Sequence, residues 1–179
     1  MEELFDVLNE NGEFTGETIS REKAHVDGTY HRAVVLFLVN SKKQVLLQKR
    51  SLSKKKWGGY WDVTSGGHVE AGELGLMSAI RELDEELGIK VKPEDVRYIG
   101  CRRTQTPKFG MNDNHFNEYF VAFKEVNVMK VKLQKDEVDE VKWIDFADFK
   151  NMVRNKNASL TEKWAAYEYL IMFIEYGQN

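Results

Sequence analysis

A chain of 179 residues, 42% hydrophobic and 31% charged, has the length and composition of one globular domain with a sizeable core. Its formal net charge of -3, with no basic tail, argues against general nucleic-acid binding, and no apolar run reaches the ~18 residues that a membrane-spanning helix needs. The single cysteine, Cys101, excludes an intrachain disulfide and fits a reducing, cytoplasmic setting, and the acidic, polar N-terminus does not read as a secretory signal.

Residues 4–8 and 13–19 read as two short strands around Asn9-Glu10-Asn11-Gly12, because Asn-Gly is a strong hairpin signal; they form a ribbon added to the main domain. Residues 21–30 read as a polar connector. The run HRAVVLFLV over 31–39 is a buried-type strand, Asn40 to Lys43 a turn, and 44–50 the return strand ending in Lys49 and Arg50. A basic, glycine-containing loop covers 51–60, and a short strand 61–64 follows. Beyond residue 89, strands are expected over 96–103, 116–123 and 137–144, with a long polar loop over 104–114 containing Pro107 and Gly110. Asp145 is the N-cap of a short helix, and 160–176 is an amphipathic helix with Leu160, Trp164, Tyr167, Leu170, Ile171 and Ile174 inward. Strands on both sides of a central helix, with a second helix at the end, describe an α/β (α+β) sandwich around a mixed sheet.

That central helix follows the loop beginning at Gly66. Leu76, Ile80, Leu83 and Leu87 recur at helical spacing, and Gly88 is a C-terminal stop. Glu82, Glu85 and Glu86 lie at i, i+3 and i+4 and share another face. Three carboxylates so close repel one another, and a hard divalent cation with oxygen ligands relieves that; a solvated acidic face is the plain alternative.

Gly67, five residues, Glu73, seven residues, then Arg81-Glu82-Leu83, one residue, Glu85-Glu86, one residue, Gly88-Ile89: this pattern resembles the Nudix box at every defined position. The resemblance implies a Nudix-type α/β/α fold over about residues 30–153 of a single domain, with the N-terminal ribbon and C-terminal helix as additions. It implies binding of Mg²⁺ or Mn²⁺ and cleavage of a small-molecule diphosphate linked to another group. Glu82, Glu85 and Glu86 would then form the metal face, with Glu85 or Glu86 as the alternative general base, and Gly67 would supply a backbone group. Glu73 and Arg81 would pair and hold the loop against the helix. Lys49 and Arg50 suit diphosphate oxygens, or are a solvated strand end. Lys54, Lys55 and Lys56 read as surface. Trp57 and Trp61 would stack on a substrate group or pack in the core. The ribbon and the C-terminal helix would each serve a homodimer or simply cover the core.

The segments HVDGTYHR, LLQKRSLSKKKWGGYWD and SGGHVEAGE further resemble the isopentenyl-diphosphate isomerase branch of the same fold. In that branch, histidines and downstream glutamates bind a metal; His25, His31 and His68 match the histidines and Glu118 one glutamate, which makes Glu118 a catalytic candidate. The cysteine which that isomerisation needs is replaced by Gly66, and the glutamate expected two residues before Glu118 is Phe116. With the complete box, the resemblance implies an isomerase-like Nudix hydrolase; an isomerase or a non-catalytic binding module are the alternatives.

Overall fold

The computed structural model describes residues 2–108 and 111–177, with the side chains of residues 106–111 left out of the description. Strands β1 (Leu4–Leu8) and β2 (Phe14–Ser20) pair antiparallel as the expected ribbon. The segment expected to be a polar connector is instead helical: α1 (Arg21–Asp27) is started by Ser20, whose side chain accepts from Lys23 N, and stopped by Gly28 at φ 68°. A Ser N-cap and an αL glycine six to eight residues apart are helix signals that a polar composition masks.

β3 (His31–Val39) and β4 (Gln44–Arg50) match their expected spans. The next stretch is two strands rather than one: β5 (Trp61–Asp62) pairs β4, and β6 (Ser65–His68) pairs the first half of β3. α2 (Gly75–Leu87) ends at Gly88, in αL at φ 64°, whose N–H bonds Asp84 O. β7 (Val96–Lys108) and β8 (Met111–Phe123) form one long antiparallel hairpin, so the loop expected over 104–114 is ladder up to Lys108 and from Met111; Gly110 lies outside the described residues. Polar residues suit this hairpin because β7 is an edge strand, and an edge tolerates Pro107. β9 (Val138–Asp145) pairs β4, and α3 (Phe146–Arg154) follows. Asp145 stands at the N-cap but spends its carboxylate on Gln44 Nε2 at 2.8 Å.

α4 (Trp164–Tyr176) begins four residues later than expected. Leu160 is buried in the core, but in extended chain: Trp61 N bonds Ser159 O at 2.8 Å and Thr161 N bonds Trp61 O at 2.9 Å. Tertiary pairing with β5 here overrides helical periodicity.

The mixed sheet runs β5-β4-β3-β8-β7, with β6 beside β3 and β9 beside β4, and β3 and β8 parallel. Alternation along β3 separates two cores. Val35, Phe37 and Val39 face α3 and α4, packing with Phe149, Tyr167 and Leu170. Val34, Leu36 and Leu38 face α2, packing with Ala79, Leu83 and Leu87. The result is an α/β/α sandwich, with the ribbon and α1 laid over one end of β3.

Candidate functional site

Two groups of side chains meet in a pocket of about 710 Å³, bounded by β3, β8, the box helix and the start of α4. The first group is acidic. Glu82 lies directly against Gly67: a Cβ there would come within 2.3 Å of the Glu82 carboxylate. Gly67 is thus the space into which that carboxylate fits. Glu86 is 5% exposed and accepts from Gln48 Nε2 at 3.3 Å and Gly66 N at 3.4 Å. Burial pushes its carboxyl up to about 8, and the neighbouring Glu82 charge adds to this. Burial likewise raises Glu82, although Arg81 partly offsets it. Glu85 is exposed at the pocket mouth.

Arg81 ties this group together. It donates to Glu73 at 3.3 and 3.1 Å, to Glu82 at 3.0 Å, to Glu85 at 3.2 Å and to the His68 carbonyl at 3.3 Å. Glu73 also accepts from Ser78 at 2.5 Å. Burial acts to raise the Glu73 carboxyl, but the Arg81 and Ser78 hydrogen bonds outweigh it and hold the group low. Glu73 therefore stays an anion that anchors the loop to α2.

The second group is a cluster of four imidazoles. His25 of α1, His31 of β3, His68 of β6 and His115 of β8 bring their ligand atoms within 4.8 Å of one another. The Nδ1–H of His25 donates to the Arg21 carbonyl at 2.7 Å, and that of His31 to the Thr29 carbonyl at 2.8 Å. Nε2 of His31 and of His115 is buried with no hydrogen-bond partner. Phe5 of the ribbon stacks over His31 and His68 at 4.7 and 4.9 Å. Burial lowers His31 to about 4 and holds His68 and His115 well below the ordinary histidine value, with charge on neighbouring histidines acting the same way. Buried, neutral imidazoles with inward lone pairs fit a borderline transition metal such as Zn²⁺, whereas the carboxylate group fits Mg²⁺ or Mn²⁺.

Several candidates sit elsewhere than expected. Glu118 does not join the histidines: it turns to the other face of β8, against Gly75 of α2 and 3.8 Å from Arg32. The β8 residues facing the pocket include Asp113, His115, Asn117 and Tyr119. His115 escaped the sequence reading because it falls between the loop expected over 104–114 and the strand expected from Phe116; extending the alternation of β8 back by one residue is the signal that finds it. Lys49 leaves the pocket and lies over Trp61, 5.9 Å from the ring centre, while Arg50 remains in it, donating to Asp62 at 3.3 Å. Lys54 and Lys56 are pocket residues rather than surface, paired with Glu137 at 2.6 Å and Asp113 at 2.7 Å. Trp57 lines the pocket, whereas Trp61 packs against the core. At Gly66, a Cβ would meet the Val34 carbonyl at 2.8 Å, so this backbone has no room for a cysteine.

The NUDIX domain family model matches residues 29–164. "Nudix hydrolase 3" of Arabidopsis thaliana is 38% identical over 162 residues, which cover 87% of this chain but only 21% of that protein. "Isopentenyl-diphosphate Delta-isomerase" of Escherichia coli is 32% identical over 167 residues, covering 93% of this chain and 86% of that one. In fold, the chain is similar to the crystal structure of DR0079 from Deinococcus radiodurans, with a TM-score of 0.72 at 22% identity over 94% of this chain and 98% of that one. Family membership supports hydrolase activity on pyrophosphates in general. Box, fold and relatives together show that the chain belongs to the Nudix family, in its branch similar to isopentenyl-diphosphate isomerases.

Proposed function

We propose that this chain is a divalent-metal-dependent pyrophosphohydrolase that cleaves the diphosphate linkage of a nucleoside diphosphate derivative or a similar small molecule. The observation that carries the reading is the pair Glu82 and Glu86: two sheltered carboxylates, both raised, beside a glycine that leaves room for one of them. Burying two such groups is unfavourable unless a cation completes the site. Glu82, Glu85, Glu86 and the Gly67 backbone would hold Mg²⁺ or Mn²⁺, which when bound neutralises phosphate charge and acidifies a water. Glu85 or Glu86 takes the proton of the attacking water. Water adds to one phosphorus, the bridging P–O bond breaks, and a monophosphate and a second phosphorylated product leave. Arg50 and Trp57 line the substrate side; Glu118 and Lys49 have no part in this reading, since both are turned away.

The histidine cluster supports a second metal position, held by His25, His31, His68 and His115, and with it the alternative of isopentenyl-diphosphate isomerisation. Against that alternative stands Gly66, which has neither a proton to give nor space for a side chain.

The test is phosphate or monophosphate release from a panel of diphosphate compounds with Mg²⁺, Mn²⁺ or chelator, with isopentenyl diphosphate followed for isomerisation in parallel. Metal-dependent hydrolysis of any compound supports the proposal. Isomerisation without hydrolysis overturns it.

A further inference from the structure

Among the described residues, six Lys and Arg side chains line the pocket, and four have a role already described or a carboxylate of their own. Arg81 is shared among the box glutamates, Lys54 pairs with Glu137, Lys56 with Asp113 and Arg21 with Glu3 at 2.6 Å. Arg50 and Lys163 differ: they share one anion. Asp62 is 1% exposed, and its Oδ2 lies 3.0 Å from Lys163 Nζ and 3.3 Å from Arg50 NH1. Its Oδ1 accepts from Val63 N at 2.8 Å and from the Thr161 hydroxyl at 2.9 Å. One buried carboxylate thus sets two cations side by side on a wall that faces the pocket.

Lys163 is held in place. Thr161 is bonded to Asp62, to Tyr167 OH at 2.7 Å and to the Trp61 carbonyl, which clamps the chain just ahead of α4. The Lys163 side chain is 38% exposed, so a ligand can reach it. Ala165 and Ala166, in the first turn of α4, continue the same wall and add the positive end of the helix dipole. Lys163 also acts on Glu86, drawing its carboxyl down against the effect of burial. The Arg50–Lys163 pair and the metal-type carboxylates therefore share one pocket.

We propose that Lys163 and Arg50, set side by side by Asp62, form a subsite for the phosphate of a diphosphate substrate that the box carboxylates do not hold. Lys163 is a substrate-contacting residue, and Asp62 is the residue that positions it. The inference rests on the pyrophosphohydrolase reading and gives its substrate a direction: one phosphate at the box helix, the other at the start of α4.

Binding of imidodiphosphate, a non-hydrolysable diphosphate, is measured by calorimetry in the presence of Mg²⁺ for the wild type, Lys163→Met and Lys163→Arg, with melting temperatures recorded alongside. Loss of a charge-assisted contact to phosphate weakens binding about tenfold or more. Lys163→Met is expected to show that loss and a shallower salt dependence, and Lys163→Arg to restore most of the affinity. A Lys163→Met variant that binds like the wild type, whatever its melting temperature, overturns the proposal, as does a wild type that does not bind imidodiphosphate. Binding that depends on Lys163 without hydrolysis of any panel compound keeps the subsite and removes the hydrolase reading. Hydrolysis with Lys163→Met affinity unchanged does the reverse.

Discussion

Glu86→Gln should make the metal-free protein more stable while abolishing its metal response. Glu86 is nearly fully buried, with its carboxyl raised from 4.5 to about 8. Between those two values the unfolded chain is ionised and the folded one holds a proton. Folding then takes up a proton, and stability falls as pH rises across that window. At pH 7 the cost is about 3.5 kcal/mol, from ~1.4 kcal/mol per pH unit above 4.5. A glutamine keeps the shape, accepts from Gln48 Nε2 and Gly66 N through its carbonyl oxygen, and carries no such cost. Urea unfolding of wild type and variant in chelator checks this: the curves should coincide near pH 4.5 and separate progressively towards pH 8, the variant being the more stable. With Mg²⁺ the order should reverse, because the wild type gains a ligand and the variant has lost a charged one. A variant less stable than the wild type in chelator at pH 8, or one stabilised by Mg²⁺ as much as the wild type, would refute the assignment of Glu86 as a metal carboxylate.

Three further predictions follow from the same geometry. Gly67→Ala places a Cβ within 2.3 Å of the flexible end of Glu82, so the carboxylate must swing away; the melting temperature should change little, while the Mg²⁺ concentration for half-maximal activity rises about tenfold or more. Zn²⁺ should raise the melting temperature of the wild type, and His115→Ala should lose most of that rise; an equal response in both would place the zinc elsewhere. In the Glu86→Gln background, which removes the opposing carboxyl, metal-free protein should lose stability as pH falls from about 6.5 towards 4, because His31 is neutral when folded and protonates at its ordinary value when unfolded; fluorescence-monitored denaturation at stepped pH reads this, and a flat profile of that variant across the window would contradict it.

Local chemistry is what the sequence carried well. The leucine stripe and Gly88 delimit α2, the Asn-Gly turn marks the ribbon, and the unbroken apolar run of β3 signals a strand covered on both faces. The Glu82–Glu86 face and the Glu73–Arg81 pair were legible because their partners lie within a few turns of one helix and its leading loop. The long hairpin was not: the chain over 104–108 and 111–114 pairs as a ladder at the sheet edge, and polarity alone does not separate an edge ladder from a loop. That ambiguity also hid His115, whereas Glu118, a candidate through the resemblance to the isomerase branch, lies on the other face of β8.

By itself, the sequence determined the family, the sandwich of helices around a mixed sheet, and the acidic face of the box helix, all of which depend on short-range periodicity and spacing. Only the tertiary structure decided which distant residues meet. Parallel pairing of β3 with β8 sets His31 opposite His115, pairing of β3 with β6 brings in His68, and α1 delivers His25. The bridge between Trp61 and Leu160 carries Lys163 to Asp62, about a hundred residues back along the chain. Strand register decides these meetings, and register follows from packing over the whole sheet rather than from any one segment.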